Sequence, residues 1–232
     1  TTSLEVINEE SIVGSVSLPS KFEIKRRAYD FFATQNRAVT KQDYEALVYN
    51  MDSKFGTVKR CNILRDNDSL KRNLNMYVIS EDTQGKLTTT NTTIKENLKT
   101  WLNKYRMIND TVDILDAYIV NIGIEFTIVA NEDKNKYDVL NACTAALSTK
   151  YQYHNYIGEP FYISEIYSTL NKVDGVSDVV KVKMTKKTGS NYSNTRFDLE
   201  ENTSVDGRYI KVPENVILEI KYLTNDIKGS VK

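Results

Sequence analysis

Few residues of this chain have the type and spacing that chemistry needs. The single histidine, His154, stands in Tyr151-Gln152-Tyr153-His154-Asn155-Tyr156. There it reads as a helix-end residue, favourable to the carbonyl end of a helix dipole, rather than as a general base. Cys61 and Cys143 lie far apart, and neither has a second Cys or His at metal-ligand spacing. Two free thiols are expected, Cys143 as a small hydrophobe on a helix. Asp66-Asn67-Asp68 opens like a calcium loop, but Lys71 stands where that loop requires glycine and Tyr77 where it requires glutamate. A turn between strands is expected instead. Glu200-Glu201 pairs two carboxylates in a polar stretch with nothing to shift either pKa. No G-x-S-x-G, Walker or G-x-G-x-x-G spacing occurs. The expected catalytic, metal and cofactor residues are therefore none, and the chain is expected not to be an enzyme.

Charge points the same way. Lys+Arg and Asp+Glu are 31 each, so the 232 residues carry no net charge, and the global attraction that drives nucleic-acid or anionic-membrane binding is missing. The most basic stretch is Lys181-Val182-Lys183-Met184-Thr185-Lys186-Lys187. On a strand it puts Lys181 and Lys183 opposite Val180 and Val182, as any half-exposed strand does, and lysine also guards strand edges. A nucleic-acid-binding or other α+β interaction module is the alternative function; no nucleic-acid and no membrane partner is expected. No signal-like segment opens the chain and no apolar run reaches membrane length, so a soluble, non-secreted protein is expected. The chain opens on Thr1 rather than Met, as a fragment or processed product would. Its 15 tyrosines suit half-wet contact surfaces. The Tyr-rich stretch after residue 150 supplies the interface candidates Tyr151, Tyr153, Tyr156 and Tyr162.

The elements that position these residues follow from periodicity. Residues 1–20 read as a lead-in or the end of a preceding domain. Ser20 and Glu23 form a capping box ahead of a helix whose Ile24, Ala28, Phe31 and Phe32 are expected to face inward, with Lys25-Arg26-Arg27 mostly off that face. Thr40 and Asp43 start a second helix with Tyr44, Leu47, Val48 and Met51 inward and Gly56 just past its end. Strands are expected over Val58–Leu64 and around Leu74, Met76 and Val78. A third helix starts at Thr93-x-x-Glu96 and buries Ile94, Leu98, Trp101, Leu102 and Tyr105. From Tyr118 a long strand alternates Val120, Ile122, Ile124, Phe126 and Ile128 with the small or polar Asn121, Gly123, Glu125 and Thr127. A helix from about Lys134, a short helix at Ile163–Leu170, a strand with Val180, Val182 and Met184, a long polar loop at 188–207 and a closing strand at Val216, Leu218 and Ile220 complete the chain.

Helix, glycine turn and strand recur at Phe55-Gly56-Thr57-Val58 and Asp174-Gly175-Val176. The expected fold is α+β, two small mixed modules in tandem with helices on short, mostly antiparallel sheets. Residues 21–116 form the first and 117–232 the second.

Asn36-Arg37-Ala38-Val39-Thr40-Lys41-Gln42-Asp43-Tyr44-Glu45-Ala46-Leu47 resembles the R-A-V-T-x-x-D-Y-E-x-L signature of baseplate J-like proteins. Phe161-Tyr162-Ile163-Ser164-Glu165-Ile166-Tyr167, with Val173-Asp174-Gly175-Val176, resembles that family's second signature. The resemblance spans about residues 20–225 and includes the order of elements. It implies a structural virion protein, a wedge subunit in the baseplate of a contractile-tailed phage or related injection machine. Such subunits dimerise, close into a ring around the tail hub, bind other wedge and tail proteins and rearrange when the sheath contracts. The implied place is the tail baseplate of the virion, after late synthesis and assembly in the host cytoplasm. Within the signature, Thr40 and Asp43 cap the helix, Tyr44 and Leu47 pack inward, and Arg37 is placed to bond carbonyls or a carboxylate.

Overall fold

The computed structural model describes residues 17–66, 73–153 and 155–232. The segment before Ser17, the Asn67-Asp68 part of the calcium-like turn and His154 lie outside the described residues. The chain divides into two compact units, with the break between Ala117 and Tyr118.

In the first unit, α1 (Lys21–Thr34) and α2 (Lys41–Tyr49) both begin with capping boxes. In each, the Ser20 or Thr40 hydroxyl accepts from the third-residue amide, while the Glu23 or Asp43 carboxylate accepts from the cap amide. A single 3-10 turn, Ser53–Phe55, then leads through Gly56 to β1 (Arg60–Arg65). The remaining elements are β2 (Asn73–Glu81), β3 (Leu87–Thr88), α3 (Thr92–Leu102) and β4 (Thr111–Asp116). β2 is central, antiparallel to β1 and β3 and parallel to β4. The parallel pair exists because α3 carries the chain back along the sheet before β4 begins. Tyr44, Leu47, Ile63, Met76, Leu98 and Leu102 are fully buried at the centre of its core.

In the second unit, β5 (Tyr118–Ala130) is the spine. It is followed by α4 (Lys136–Lys150), β6 (Phe161–Tyr162), α5 (Ile163–Leu170), β7 (Val176–Lys186), β8 (Tyr209–Ile210), β9 (Val216–Glu219), α6 (Leu223–Asp226) and β10 (Ile227–Val231). β5 pairs in parallel with β9 over its first four residues and with β10 further along, and antiparallel with β7 on its other edge. Ile122, Ile124, Ile128, Leu147, Ile166 and Leu170 anchor the core. The architecture is α+β as expected, with both larger sheets mixed.

Several local expectations are corrected. α2 ends at Tyr49, and Gly56 closes the 3-10 turn instead of the helix. α3 is capped by Asn91, whose side chain accepts from the Thr93 amide, so Thr93 is inside the helix. On β7 the valines change sides: Val179 is buried and Val180 is exposed. Thr127 pairs with Lys181 and the next residue, Ile128, with Val179, which leaves Val180 as an extra residue in a β-bulge that resets the alternation. Asn121, expected on a polar face, is buried; it donates to Glu219 Oε2 at 2.8 Å and accepts from the Ser193 amide at 2.7 Å. The closing strand is two strands, β9 and β10, parted by α6. The 188–207 segment has no regular element but is tied down. Tyr192 donates to Asp226 Oδ1 at 2.7 Å, and Phe197 and Leu199 pack against the core.

The largest correction concerns α1. The residues it buries are Glu23 and Thr34, with Arg27, Asp30 and Phe31 partly covered. Ile24 and Phe32, expected inside, are 53% and 83% exposed. Ala28 is exposed too. The capping box sets the phase: Glu23 finds Arg60 on β1, and that pairing turns the aromatic side of the helix outward.

Candidate interaction surface

The first signature forms a rigid corner. Between α1 and α2 the backbone takes left-handed conformations at Gln35 and Asn36 (φ 48° and 59°). Ala38 then donates to the Tyr105 carbonyl at 2.9 Å and bridges to Arg106, pinning the turn to the end of α3. Asp43 accepts from the amides of Val39 (3.0 Å) and Thr40 (2.8 Å). Partial burial opposes its ionisation, but these amides and the nearby Arg37 charge hold its carboxyl below the ordinary carboxylate value. Tyr44 is buried and donates to Asp110 Oδ2 at 3.0 Å, and Arg106 donates to the Asp110 carbonyl. Burial and the Asp110 carboxylate push the Tyr44 phenol well above its usual pKa, so it remains a neutral donor. A cavity of about 260 Å³ opens beside this corner, lined by Tyr44, Asp110, Arg65 and Asn73. The corner fixes backbone shape.

A second polar cluster holds α1 to the sheet. Arg60, only 2% exposed, places Nη1 2.9 Å from Glu23 Oε1. Lys59 Nζ lies 2.9 Å from Glu81 Oε1, and Ser17 bonds to both Lys59 and Glu81. Burial works against ionisation of both carboxyls. Arg60, Arg27 and the Ser20 amide lower Glu23, and Ser17 and Lys59 lower Glu81, so each ends below its ordinary value. The Arg27 guanidinium stacks 4.2 Å above the Tyr49 ring, and the Tyr49 hydroxyl accepts from the Cys61 amide at 3.0 Å. These contacts tie α1, α2 and β1 together through charge and rings. Trp101 helps from the far side, its indole N–H donating to the Leu47 carbonyl at 2.9 Å.

The inward side of α1 being polar, the outward side carries the apolar surface. Phe22, Tyr29 and Phe32 are 73%, 73% and 83% exposed, and Leu18, just ahead of the helix, is 86% exposed. An open groove of about 730 Å³ runs beside Phe31 and Phe32 toward Ala46 and Tyr49 of α2. Aromatic rings therefore crowd the outward side of the helix. Periodicity alone missed it. A signal was present in Glu23, Arg27 and Thr34, which share one helix face and mark the side that meets a charged partner.

The tyrosine candidates are placed differently from one another. Tyr151 packs on the core of the second unit and stacks on Phe161 at 5.4 Å, and burial raises its pKa. Tyr153 is exposed, and Tyr156 is half-buried with its amide donating to Glu159 at 2.8 Å. Tyr162 is exposed and lies 6.0 Å from the Tyr209 ring. Cys61 and Cys143 are buried free thiols whose pKa values burial raises, which makes both poor nucleophiles. Among the described residues no group of three His, Cys, Asp or Glu side chains is placed to hold a metal ion, and no helix is long and apolar enough to cross a membrane.

No family model matches this chain, and no curated protein matches it. Among solved structures it is similar to a chain in the cryo-EM structure of the anti-feeding prophage (AFP) baseplate, 6-fold symmetrised. The TM-score is 0.54 at 12% identity, over 88% of this chain and 42% of that one. The present chain thus spans less than half of that chain's length, and at this identity the likeness establishes a common fold.

Proposed function

We propose that this chain is a structural, non-catalytic subunit of a contractile-tail baseplate. The observation that carries the proposal is the fold likeness to a baseplate chain across 88% of the residues. The two signature stretches support it: the first builds the rigid corner at Arg37–Leu47, and the second leads through α5 and Gly175 into β7. The finer reading, resting on the signatures, is a wedge subunit similar to the C-terminal portion of the large wedge protein of T-even-type phages. In that role it contacts other wedge and tail proteins in a ring around the hub, and the ring rearranges when the sheath contracts. Folded units with rigid corners suit such work, because a part that moves as a body passes on force that a pliable part would absorb. Electron cryo-microscopy of intact tails tests the proposal: density fitting both units is expected in the baseplate. Particles whose baseplates hold no such density would overturn it.

A further inference from the structure

α1 is fastened to the first unit by charge at one end and by left-handed backbone at the other. No residue of α1 belongs to the buried apolar core of that unit; Phe31 alone packs against its rim. The start of the helix is held at two points on the sheet. Glu23 meets Arg60 of β1 at 2.9 Å. Ser17, just ahead of the helix, donates its amide and hydroxyl to the Glu81 carboxylate of β2 at 3.2 and 2.6 Å. Lys59 of β1 completes that second group, 2.9 Å from Glu81. On the side of α2, Arg27 rests on the Tyr49 ring, and the Arg26–Asp30 pair lies near Glu45. The far end of the helix differs. Gln35 and Asn36 both hold left-handed backbone, which residues other than glycine adopt at a cost. Ala38 follows, fully buried and pinned to the Tyr105 carbonyl.

We propose that α1 is a latch that swings away from the first unit as one helix, hinged at Gln35–Asn36, while α2, α3 and the sheet stay folded. Opening exposes little apolar surface, since only Phe31 leaves the core, so the force that keeps α2 and α3 in place is small for α1. The ion pairs hold it weakly against water, because the attraction within a buried pair is largely offset by the desolvation of its two ions. The hinge relaxes on opening, as two residues leave the left-handed region. Protons bias the latch. Burial opposes ionisation of Glu23 and Glu81, but Arg60, the Ser20 amide, Arg27 and Lys59 around the first, and Ser17 and Lys59 around the second, hold both below the ordinary carboxyl value when closed. The open state therefore takes up protons first, and closure weakens as pH falls through those lowered values. Glu45 on α2 acts the other way. Burial raises its pKa, with Asp30 adding to the rise and Arg26 and Lys41 opposing it, so its protonation favours closure. Closure is firmest near about pH 5, between the two effects. The inference concerns the first unit alone and stands or falls apart from the baseplate reading.

Amide hydrogen exchange of the whole chain, resolved residue by residue, tests the latch. The amides from Lys25 to Thr34 are expected to share one protection factor, at least about a hundredfold below those of Met76 and Leu98. That protection should hardly change with dilute urea, because little surface is exposed, whereas the core amides should lose theirs steeply. It should peak near about pH 5 and decline toward about pH 4. Glu23→Gln combined with Glu81→Gln should lower the protection of α1 at neutral pH and abolish the acid decline, with Met76 and Leu98 still protected. Amides of α1 that match the core in protection and urea response would mean that the helix opens only with its unit, and the latch is overturned. Protection graded along the helix, the mark of fraying without a hinge, overturns it as well. So does a double variant that leaves α1 protection unchanged, or one that loses core protection together with that of α1.

Discussion

Both units turn from a helix through a left-handed glycine into a strand, and both lay a different helix over that glycine. In the first unit Gly56 (φ 101°) lies under Ile94 of α3, so close that a Cβ would come within 2.6 Å of its side chain. In the second, Gly175 (φ 95°) lies under Val139 of α4, and a Cβ would approach to 2.8 Å. The chain order differs. The helix–glycine–strand piece precedes the central strand β2 and its covering helix α3 in the first unit, but follows β5 and α4 in the second. What the two have in common is a contact between a bare backbone and a branched side chain, and that contact tolerates a change in which segment comes first. What differs is how outer elements are held. The first unit fastens α1 with buried charges, whereas the described ion pairs of the second, Lys134–Asp174 and Lys150–Glu165, lie toward solvent.

That contrast can be broken most forcefully at Arg60. Arg60→Ala takes the nearest cation from the buried Glu23 carboxylate, leaving Arg27 at 3.9 Å, and is expected to cost the first unit about 3 kcal/mol. In the second unit Asn121→Ala removes a neutral donor to the buried Glu219 carboxylate and should cost about 1–3 kcal/mol. Urea melts followed by Trp101 fluorescence read the first unit alone, since the chain has one Trp, and far-ultraviolet circular dichroism reads both. Equal losses would mean that charge has no special part in holding α1.

Gly56→Ala and Gly175→Ala come next, each expected to destabilise its own unit by about 2–4 kcal/mol from backbone strain and overpacking together. Combining Gly56→Ala with Ile94→Ala, judged against Ile94→Ala alone, should recover only the overpacking share, since all three crowding carbons are then gone. Full recovery would remove the left-handed backbone from the explanation.

Acid sharpens the comparison further. Glu23 and Glu81 have folded pKa values below their ordinary 4.5. The unfolded chain therefore takes up protons first, and the stability these groups confer is complete above about pH 5–6 and drains away as pH falls through the lowered values. Trp101 fluorescence should consequently report loss of the first unit's stability below pH 4.5, and Arg60→Ala should flatten that dependence. The smallest effect is expected at the corner: Thr40→Ala removes one cap and should cost about 1 kcal/mol, with Thr40→Ser near neutral in the same melts.

Much of the fold was legible because its signals are local. The two capping boxes, the α+β class and the apolar face of β5 each depend on residues within a few positions of one another. The corner at Thr40–Leu47 was legible for the same reason. The bulge at Val180 was not, because it depends on how β7 registers against β5. The facing of α1 was misread because apolar spacing tells a helix which side is greasy, but not whether the molecule has anything greasy to offer it.

Sequence alone determined where α1 begins, that it is amphipathic, and that it carries an aromatic stripe. Only the tertiary structure decided which way that stripe faces. A guanidinium in the interior at Arg60 costs far more without a carboxylate than a few exposed rings cost in water, so Glu23 goes in and the aromatics stay out.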